Sequence, residues 1–393
     1  MLTRLAHWSK TGRAVVVACA TISTLCASQR LLNRPGASSL PTLSQSWLIL
    51  LVAFFAYFVV IALMWFVVIR LSDQAAQIIL ISLFVVLIVG FFVIYPHFGL
   101  PANSSGYGDR DDALTLMGKA LFSGHNPYQV QTYLGDRVSP LLGAVILSAP
   151  ATFLVGSAGW MNPVIVAALG WFVVRKLPTP AGLFITLLLV TNVGFIEDYL
   201  LGGDVYLYPL VFALACFALF SRSMTISKVL IVALVVIGGL AAASRANTLV
   251  VVLAVVLFLL VSGFTSQRRW AIISMGVISV FAGLASMKLA GGLSSWPFAG
   301  DVEPRLRIAS AVILAFLFLG LAYRWRQGSE AGDVQRLSRT IPWLALSVAP
   351  FLLHPLALFR VWPPVVFLIP TGLVVVTALI EQRRSAMASL VVN

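Results

Sequence analysis

The chain has 393 residues, of which 60% are hydrophobic and 10% are charged, and its formal net charge is +13. A soluble domain carries about 25% charged residues, so this composition excludes an ordinary soluble enzyme. The basic residues lie in short segments between apolar runs, and no basic face with interleaved aromatic residues accompanies them, which argues against nucleic acid as a partner.

Apolar runs recur along the chain, and a run of about 18 such residues predicts a membrane-spanning helix. Every backbone polar group in lipid must be bonded within its own segment, and the alternating pattern of a β-barrel is absent. We therefore predict an all-α, polytopic transmembrane helical bundle of about 11 to 13 spans, forming one domain over residues 1–393. The basic stretch 1–13 before the apolar stretch 14–28 favours an uncleaved first helix over a signal peptide. The candidate spans are 14–32, 47–69, 76–95, 140–157, 160–174, 181–197, 205–220, 228–243, 247–264, 270–288, 308–323, 341–359 and 363–380.

Basic residues in the connecting segments orient these helices, because positively charged loops stay on the cytoplasmic side. They place both termini inside. Thirteen spans cannot join two inside termini, so either 140–157 or 160–174 does not cross the membrane, or Arg175 and Lys176 lie outside. Eight of the 13 acidic residues fall in the segments predicted to lie outside, which are 96–138, 198–204, 244–246, 289–307 and 354–362, and a ninth, Glu197, directly precedes one of them.

The long outer segment 96–138 is the least membrane-like part of the chain. Asp109 is placed as an N-cap, and Asp111 and Asp112 fall in the first turn of the helix that follows. Gly124 ends this helix. An amphipathic helix at this position would lie along the membrane interface. Its apolar stripe is formed by Leu114, Met117 and Leu121.

Acidic residues at a helix start complement the helix dipole and need no catalytic role. Three carboxylates within four residues exceed what capping requires, and they would raise one another's pKa by repulsion. A raised pKa makes a carboxylate a useful general base. Metal binding is a minor alternative, because His125 is the one histidine near the cluster. We expect no cofactor.

These features resemble the first extracytoplasmic loop of GT-C superfamily glycosyltransferases, particularly the polyprenyl-phosphate-mannose-dependent mannosyltransferases of actinobacteria. The resemblance covers 109–150 and includes Gly-x-Asn-Pro-Tyr at 124–128 and Ser-Pro-Leu at 139–141. Gly-Gly-Asp at 202–204 and Ser-Arg-Ala-Asn at 244–247 also fit. The chain departs from the family in carrying two helices before the helix that precedes the loop, and in lacking a large soluble C-terminal domain.

The resemblance implies a GT-C-like fold and an inverting transfer of a sugar from a polyprenyl-phosphate donor to a cell-envelope glycan or lipid acceptor. The site would lie on the extracytoplasmic face of the plasma membrane, and a loop aspartate would be the general base. The family's spacing to the glycine of the turn fits Asp111 and Asp109, while Asp112 is one residue too close. We rank Asp111 first, Asp112 second and Asp109 third.

The leaving phosphate of such a donor needs a cation, and arginine offers a planar fork of donors. Arg245 and Arg360 lie between apolar spans on the side of the loop, and His354 lies near Arg360. Each of these three side chains could instead contact lipid headgroups or cap the end of a helix. The candidate sugar-binding residues are Asn126, Tyr128 and Asp204.

Two other classes of function are open at this stage. A transporter or lipid flippase would carry charges near the middle of its helices and paired repeats, and neither is visible in the sequence. A non-catalytic membrane partner of a cell-envelope assembly is also compatible with the composition. All three classes imply membrane lipids as neighbours.

Overall fold

The computed structural model of the protein describes nine stretches of the chain, and five predicted spans lie outside them, 14–32, 247–264, 308–323, 341–359 and 363–380. All the helices and turns discussed below belong to these stretches. The described residues are 55–56, 59–64, 66–68, 70–98, 110–135, 138–176, 179–220, 227–245 and 266–291.

Within the described residues the regular structure is helical, and no strand occurs. Two short 3-10 helices, at Pro127–Gln129 and Ala158–Trp160, precede the third and fourth α-helices. Residues 59–64 and 66–68 are helical. The α-helices from residue 73 onward are α1 Asp73–Phe98, α2 Arg110–Phe122, α3 Leu142–Val155, α4 Met161–Lys176, α5 Thr179–Val190, α6 Val193–Leu200, α7 Leu207–Phe220, α8 Lys228–Ala242 and α9 Ser266–Leu289.

Three described helical segments are long and apolar enough to cross a membrane: Asp73–Phe98, Ala158–Arg175 and Trp270–Leu289. They correspond to the predicted spans 76–95, 160–174 and 270–288. The prediction of a helical membrane protein is therefore confirmed for this part of the chain. The remaining helices between 142 and 242 are 8 to 15 residues long, about 12 to 23 Å at 1.5 Å per residue.

The predicted span 181–197 was wrong as a single helix, because it is divided into α5 and α6. Asn192 sits at the break with extended backbone angles, and its side-chain oxygen accepts a hydrogen bond of 3.0 Å from the backbone N–H of Phe195. This bond caps α6 and begins a new helix inside an apolar run. The acidic residue Asp198, which the sequence placed in a loop, therefore lies within α6.

Helix α2 is present where the acidic cluster and Gly124 predicted it. Its apolar stripe packs on protein: Leu114 and Met117 are 1% and 0% exposed and belong to the main hydrophobic core. Helix α2 faces α3 at Gly118, where an added Cβ would lie 3.5 Å from Thr152, an ordinary van der Waals distance. The predicted apolar stripe of α2 therefore faces the hydrophobic core and does not point away from the protein.

The start of α3 is joined to the end of α8 through backbone hydrogen bonds. The N–H of Leu141 donates to the carbonyl of Ser244 at 3.0 Å, and the N–H of Gly143 donates to that of Ala243 at 3.2 Å. Free N–H groups at one helix end are thereby paired with free carbonyls at another. A Cβ at Gly143 would stand 2.6 Å from the Ala243 carbonyl oxygen, so the approach requires glycine.

Candidate functional site

Asp111 is the loop aspartate that the structure places in the protein interior, with 2% of its surface exposed. Its Oδ2 accepts hydrogen bonds from the Tyr95 hydroxyl and, at 2.7 Å, from the Ser157 hydroxyl. Its Oδ1 accepts from the Gly159 N–H at 2.5 Å and from the Thr115 hydroxyl at 3.4 Å. The carboxylate therefore joins the end of α1, the first turns of α2 and the turn that precedes α4.

Burial raises the pKa of the Asp111 carboxyl above its ordinary range, while its hydrogen-bond donors, with Tyr95 first among them, oppose the rise. Removal from water disfavours the charged form, and the donors stabilise it. A carboxylate in such surroundings takes up a proton more readily than one in water. This is the property that general-base catalysis needs.

The Tyr95 ring is held on several sides. It stacks on Phe91 with 4.6 Å between ring centroids and meets the edge of Trp160 at 5.2 Å. Gly159 and Gly202 supply the remaining space, since a Cβ at Gly202 would lie 2.5 Å from the Tyr95 ring and one at Gly159 would overlap its hydroxyl. The hydroxyl that contacts Asp111 is thus fixed by a packed surround.

Asp112 has a different environment from its neighbour. It is half-buried, and its Oδ2 accepts a hydrogen bond of 2.8 Å from the backbone N–H of Tyr133. Consecutive residues of a helix point about 100° apart, so one carboxylate enters the core while the next faces the segment 131–135. Asp109, the third candidate base, lies outside the described residues.

Arg245 and Asp204, predicted to bind phosphate and sugar respectively, contact each other. Arg245 Nε donates to Asp204 Oδ2 at 2.9 Å, and Nη2 donates to Oδ1 in a bidentate ion pair. Arg245 Nη1 donates to the Ser139 hydroxyl at 2.8 Å. Asp204 is fully buried and Arg245 is 9% exposed. The other candidate phosphate ligands, Arg360 and His354, lie outside the described residues.

A second ion pair joins the partly exposed Arg110 to the buried Asp198, and the sequence did not reveal it. Arg110 Nη1 donates to Asp198 Oδ1, and Asp198 Oδ2 accepts from the backbone N–H of Tyr206 at 3.1 Å. Burial raises the pKa of Asp198, and the Arg110 charge opposes that rise. The one local signal was a lone arginine between Asp109 and the two acids of α2, which does not identify a partner.

Asn126 and Tyr128 connect the loop to two helices. The Asn126 side chain accepts the Tyr128 N–H at 3.0 Å and donates to the Leu289 carbonyl at 2.8 Å. The Tyr128 hydroxyl donates to the Pro140 carbonyl at 3.1 Å, and burial raises the pKa of Tyr128 to about 12. Both side chains therefore hold the Gly-x-Asn-Pro-Tyr turn against the end of α9 and the start of α3.

Within the described stretches, no group of three or more His, Cys, Asp or Glu side chains is arranged to hold a metal ion. No family model, no curated protein and no solved structure matches this chain. The function is therefore inferred from the residues and their contacts.

Proposed function

We propose that the protein is a membrane glycosyltransferase that moves a hexose or pentose, such as mannose, from a polyprenyl-phosphate donor to an extracytoplasmic glycan or lipid acceptor. Asp111 would take the proton of the acceptor hydroxyl. The acceptor oxygen forms a bond to the anomeric carbon as the bond from that carbon to the phosphate oxygen breaks. The polyprenyl phosphate leaves with the electron pair, and the anomeric configuration inverts.

The observation that carries this proposal is the buried carboxylate of Asp111, fixed by four donors from three parts of the chain. Such a group combines a fixed position with a raised proton affinity, the two properties of a general base. A purely capping aspartate would instead bond the N–H groups of its own first turn. The hydrogen-bond donors to Asp111 belong to other segments of the chain, apart from Thr115 one turn along α2.

The donor phosphate would meet Arg245 through Nη1. Two nitrogens of this guanidinium are committed to the Asp204 carboxylate, whereas Nη1 bonds the neutral hydroxyl of Ser139. A phosphate oxygen is a stronger partner than a hydroxyl for a charged donor, because charge-assisted hydrogen bonds are roughly twice as strong as neutral ones. Asp204 then serves to orient the fork of Arg245 instead of holding sugar hydroxyls.

Transfer activity tests the proposal directly. The protein is reconstituted in lipid nanodiscs with radiolabelled polyprenyl-phosphate sugars and a lipid extract of cell envelope as acceptor source. We expect Asp111→Asn to lower transfer by about 10² to 10⁴, the usual contribution of a general base. Asp73→Asn, which changes an exposed carboxylate at the start of α1, is the matched control. Retention of activity in Asn variants at 109, 111 and 112 alike would show that no loop carboxylate is the base.

One observation favours a transporter as the second candidate. The buried pair of Asp204 and Arg245 is the kind of ionised group that transporters keep within their helical bundles. Sealed proteoliposomes loaded with labelled lipid-linked sugar separate the two functions. Movement of label across the bilayer without a change in the sugar's bond to phosphate would establish transport and contradict the transferase.

A further inference from the structure

The two oxygens of Asp111 are held unequally. Oδ2 is contacted by two side-chain hydroxyls, those of Tyr95 and Ser157. Oδ1 has one short bond, from the Gly159 N–H at 2.5 Å, and one long contact, from Thr115 Oγ1 at 3.4 Å. A carboxylate offers about four acceptor positions. One position, on Oδ1, is therefore occupied only by a contact at the limit of hydrogen-bond length.

The Thr115 hydroxyl takes part in a second, shorter hydrogen bond. Its oxygen accepts a hydrogen bond of 2.8 Å from the backbone N–H of Ala158, which fixes the hydroxyl beside the turn before α4. A stronger donor that approaches Oδ1 can replace the 3.4 Å contact without breaking that bond. Replacement at Oδ2 would require the loss of the Tyr95 or Ser157 bond.

From this difference we propose that Tyr95 is a positioning residue for the reaction. With Ser157 it holds Oδ2 of Asp111 and so leaves Oδ1 as the oxygen that takes the acceptor's proton. This assignment rests on the proposed function, because it names the reacting oxygen of the base. Tyr95 itself contacts neither the sugar nor the reacting atoms in this scheme.

The support for Tyr95 is its rigidity and its place in the chain. It lies near the end of α1, one of the three segments long enough to cross a membrane, and it is fully buried. Its phenol ring is confined between the stacked Phe91 ring and the backbone at Gly159 and Gly202, which fixes its position. Groups on packed helices hold a reacting side chain more accurately than groups on free loops do.

Deleting the Tyr95 hydroxyl changes the proton affinity of Asp111 in a definite direction. The hydroxyl favours the ionised carboxylate, because bonds to a charged acceptor are stronger than bonds to a neutral one. Without it, burial is less opposed, and the pKa of Asp111 rises further. The other described titratable groups around Asp111 are Tyr208 from α7 and, on its own helix, Arg110 and Asp112. None of these is altered by Tyr95→Phe.

The first measurement does not depend on activity. Infrared spectra of the full protein in nanodiscs are titrated with pH, and the protonated carboxyl band of Asp111 is assigned by its loss in Asp111→Asn. We expect Tyr95→Phe to move the midpoint of this band upward by about one to two pH units, the effect of one bond to a charged group. Tyr199→Phe is the matched control, because it also deletes a buried hydroxyl. That hydroxyl donates to the carbonyl of Leu87, which lies on α1 like Tyr95, and it does not bond Asp111.

The second measurement is the pH profile of sugar transfer. The base acts when ionised, so its activity is lost as pH falls, and Tyr95→Phe should shift this acid limb upward as far as the infrared midpoint moves. The KM for the donor should stay unchanged. An unshifted or lowered midpoint in Tyr95→Phe, or an equal shift in Tyr199→Phe, overturns the positioning role. Absence of transfer in the unmodified protein overturns the proposed function instead, and the infrared midpoint still decides whether Tyr95 controls the Asp111 proton.

Discussion

Replacing Asp204 with asparagine removes the charge that faces Arg245 while keeping the size of the side chain. The pair is buried and bidentate, so the change leaves a guanidinium inside the protein without its counter-charge. Removal of one partner from a buried ion pair costs about 3 to 5 kcal/mol. Asparagine still offers one oxygen to the fork, and we therefore expect a loss near the lower end, about 3 kcal/mol of the free energy of unfolding.

A double-mutant cycle isolates the interaction between the two side chains. Arg245→Gln alone leaves the Asp204 carboxylate buried and unpaired, and it should cost a similar amount. The double variant contains neither charge, so its loss should fall short of the sum of the single losses by at least about 1 kcal/mol, within the range observed for residues in contact. Unfolding in mixed detergent micelles, followed by tryptophan fluorescence, supplies the free energies.

The exposed carboxylate of Asp73 provides the control for this cycle, because its change to asparagine should alter stability by no more than about 0.5 kcal/mol. A cost for Asp204→Asn no larger than that control, or additive single losses, would refute the buried pair. Donor binding gives a second comparison. Arg245→Gln should lose affinity for polyprenyl phosphate, and Asp204→Asn should lose less, since the guanidinium remains although its orientation is no longer fixed by a carboxylate.

Two further outcomes follow from packing and from charge, and a third from the orientation of the helices. Gly143→Ala should lower the free energy of unfolding by about 1 to 3 kcal/mol through overpacking. Gly118→Ala should not, because its added Cβ would lie 3.5 Å from the nearest atom. Equal unfolding midpoints for the two variants would contradict the close contact between α3 and α8. Burial raises the pKa of Asp111 and of Asp198, so the protein takes up protons when it folds. The stability that these protons contribute is present below the ordinary carboxyl pKa of about 4, and it is lost as the pH rises through the pKa values of the two carboxyls in the folded protein. The free energy of unfolding should therefore decline with pH, less steeply in Asp111→Asn; identical slopes would count against the raised pKa. A cysteine at Lys176, in a background without the native cysteines, should react with an impermeant maleimide in inside-out vesicles only, and labelling from outside would reverse the orientation of α4.

The loop helix α2 could be predicted because its signals are local. Acidic residues mark its first turn, Gly124 adopts the positive φ of 76° that ends it, and Asn126 caps the 3-10 turn that follows. The division at Asn192 also had a local signal, an asparagine suited to an N-cap. That signal was outweighed in the prediction by the apolar residues on both sides of it.

The different fates of Asp111 and Asp112 could not be predicted from the sequence. Both lie in the first turn of one helix, and the face of that helix that packs against the rest of the protein decides which one is buried. Which face packs inward depends on contacts with Tyr95, 16 residues earlier, and with Ser157, 46 residues later. Likewise, Arg245 meets Asp204 across 41 residues of chain. Such pairings depend on the packing of helices, which no local pattern records.

The contacts of α3 bear on the odd number of predicted spans. Just before this helix, Ser139 bonds Arg245, and just after it, Ser157 bonds Asp111. Arg245 and Asp111 both belong to segments that the basic loops place outside, so the two ends of α3 lie beside outer segments. We infer that 140–157 is the stretch that does not cross the membrane. Segment 158–175 then starts outside and ends inside.

This assignment is consistent with the other contacts between predicted outer segments. Asn162, near the start of α4, donates to the carbonyls of Tyr199 and Gly203 at 3.2 and 3.0 Å. Arg110 pairs with Asp198 at the end of α6. If 140–157 is removed from the predicted set, twelve predicted spans remain, an even number that would join two inside termini, and Arg175 and Lys176 would return to the basic, inner side. The hydrogen bond from Ser157 to the candidate base therefore favours one of the three ways to reconcile charge and hydropathy, the one in which 140–157 does not cross the membrane.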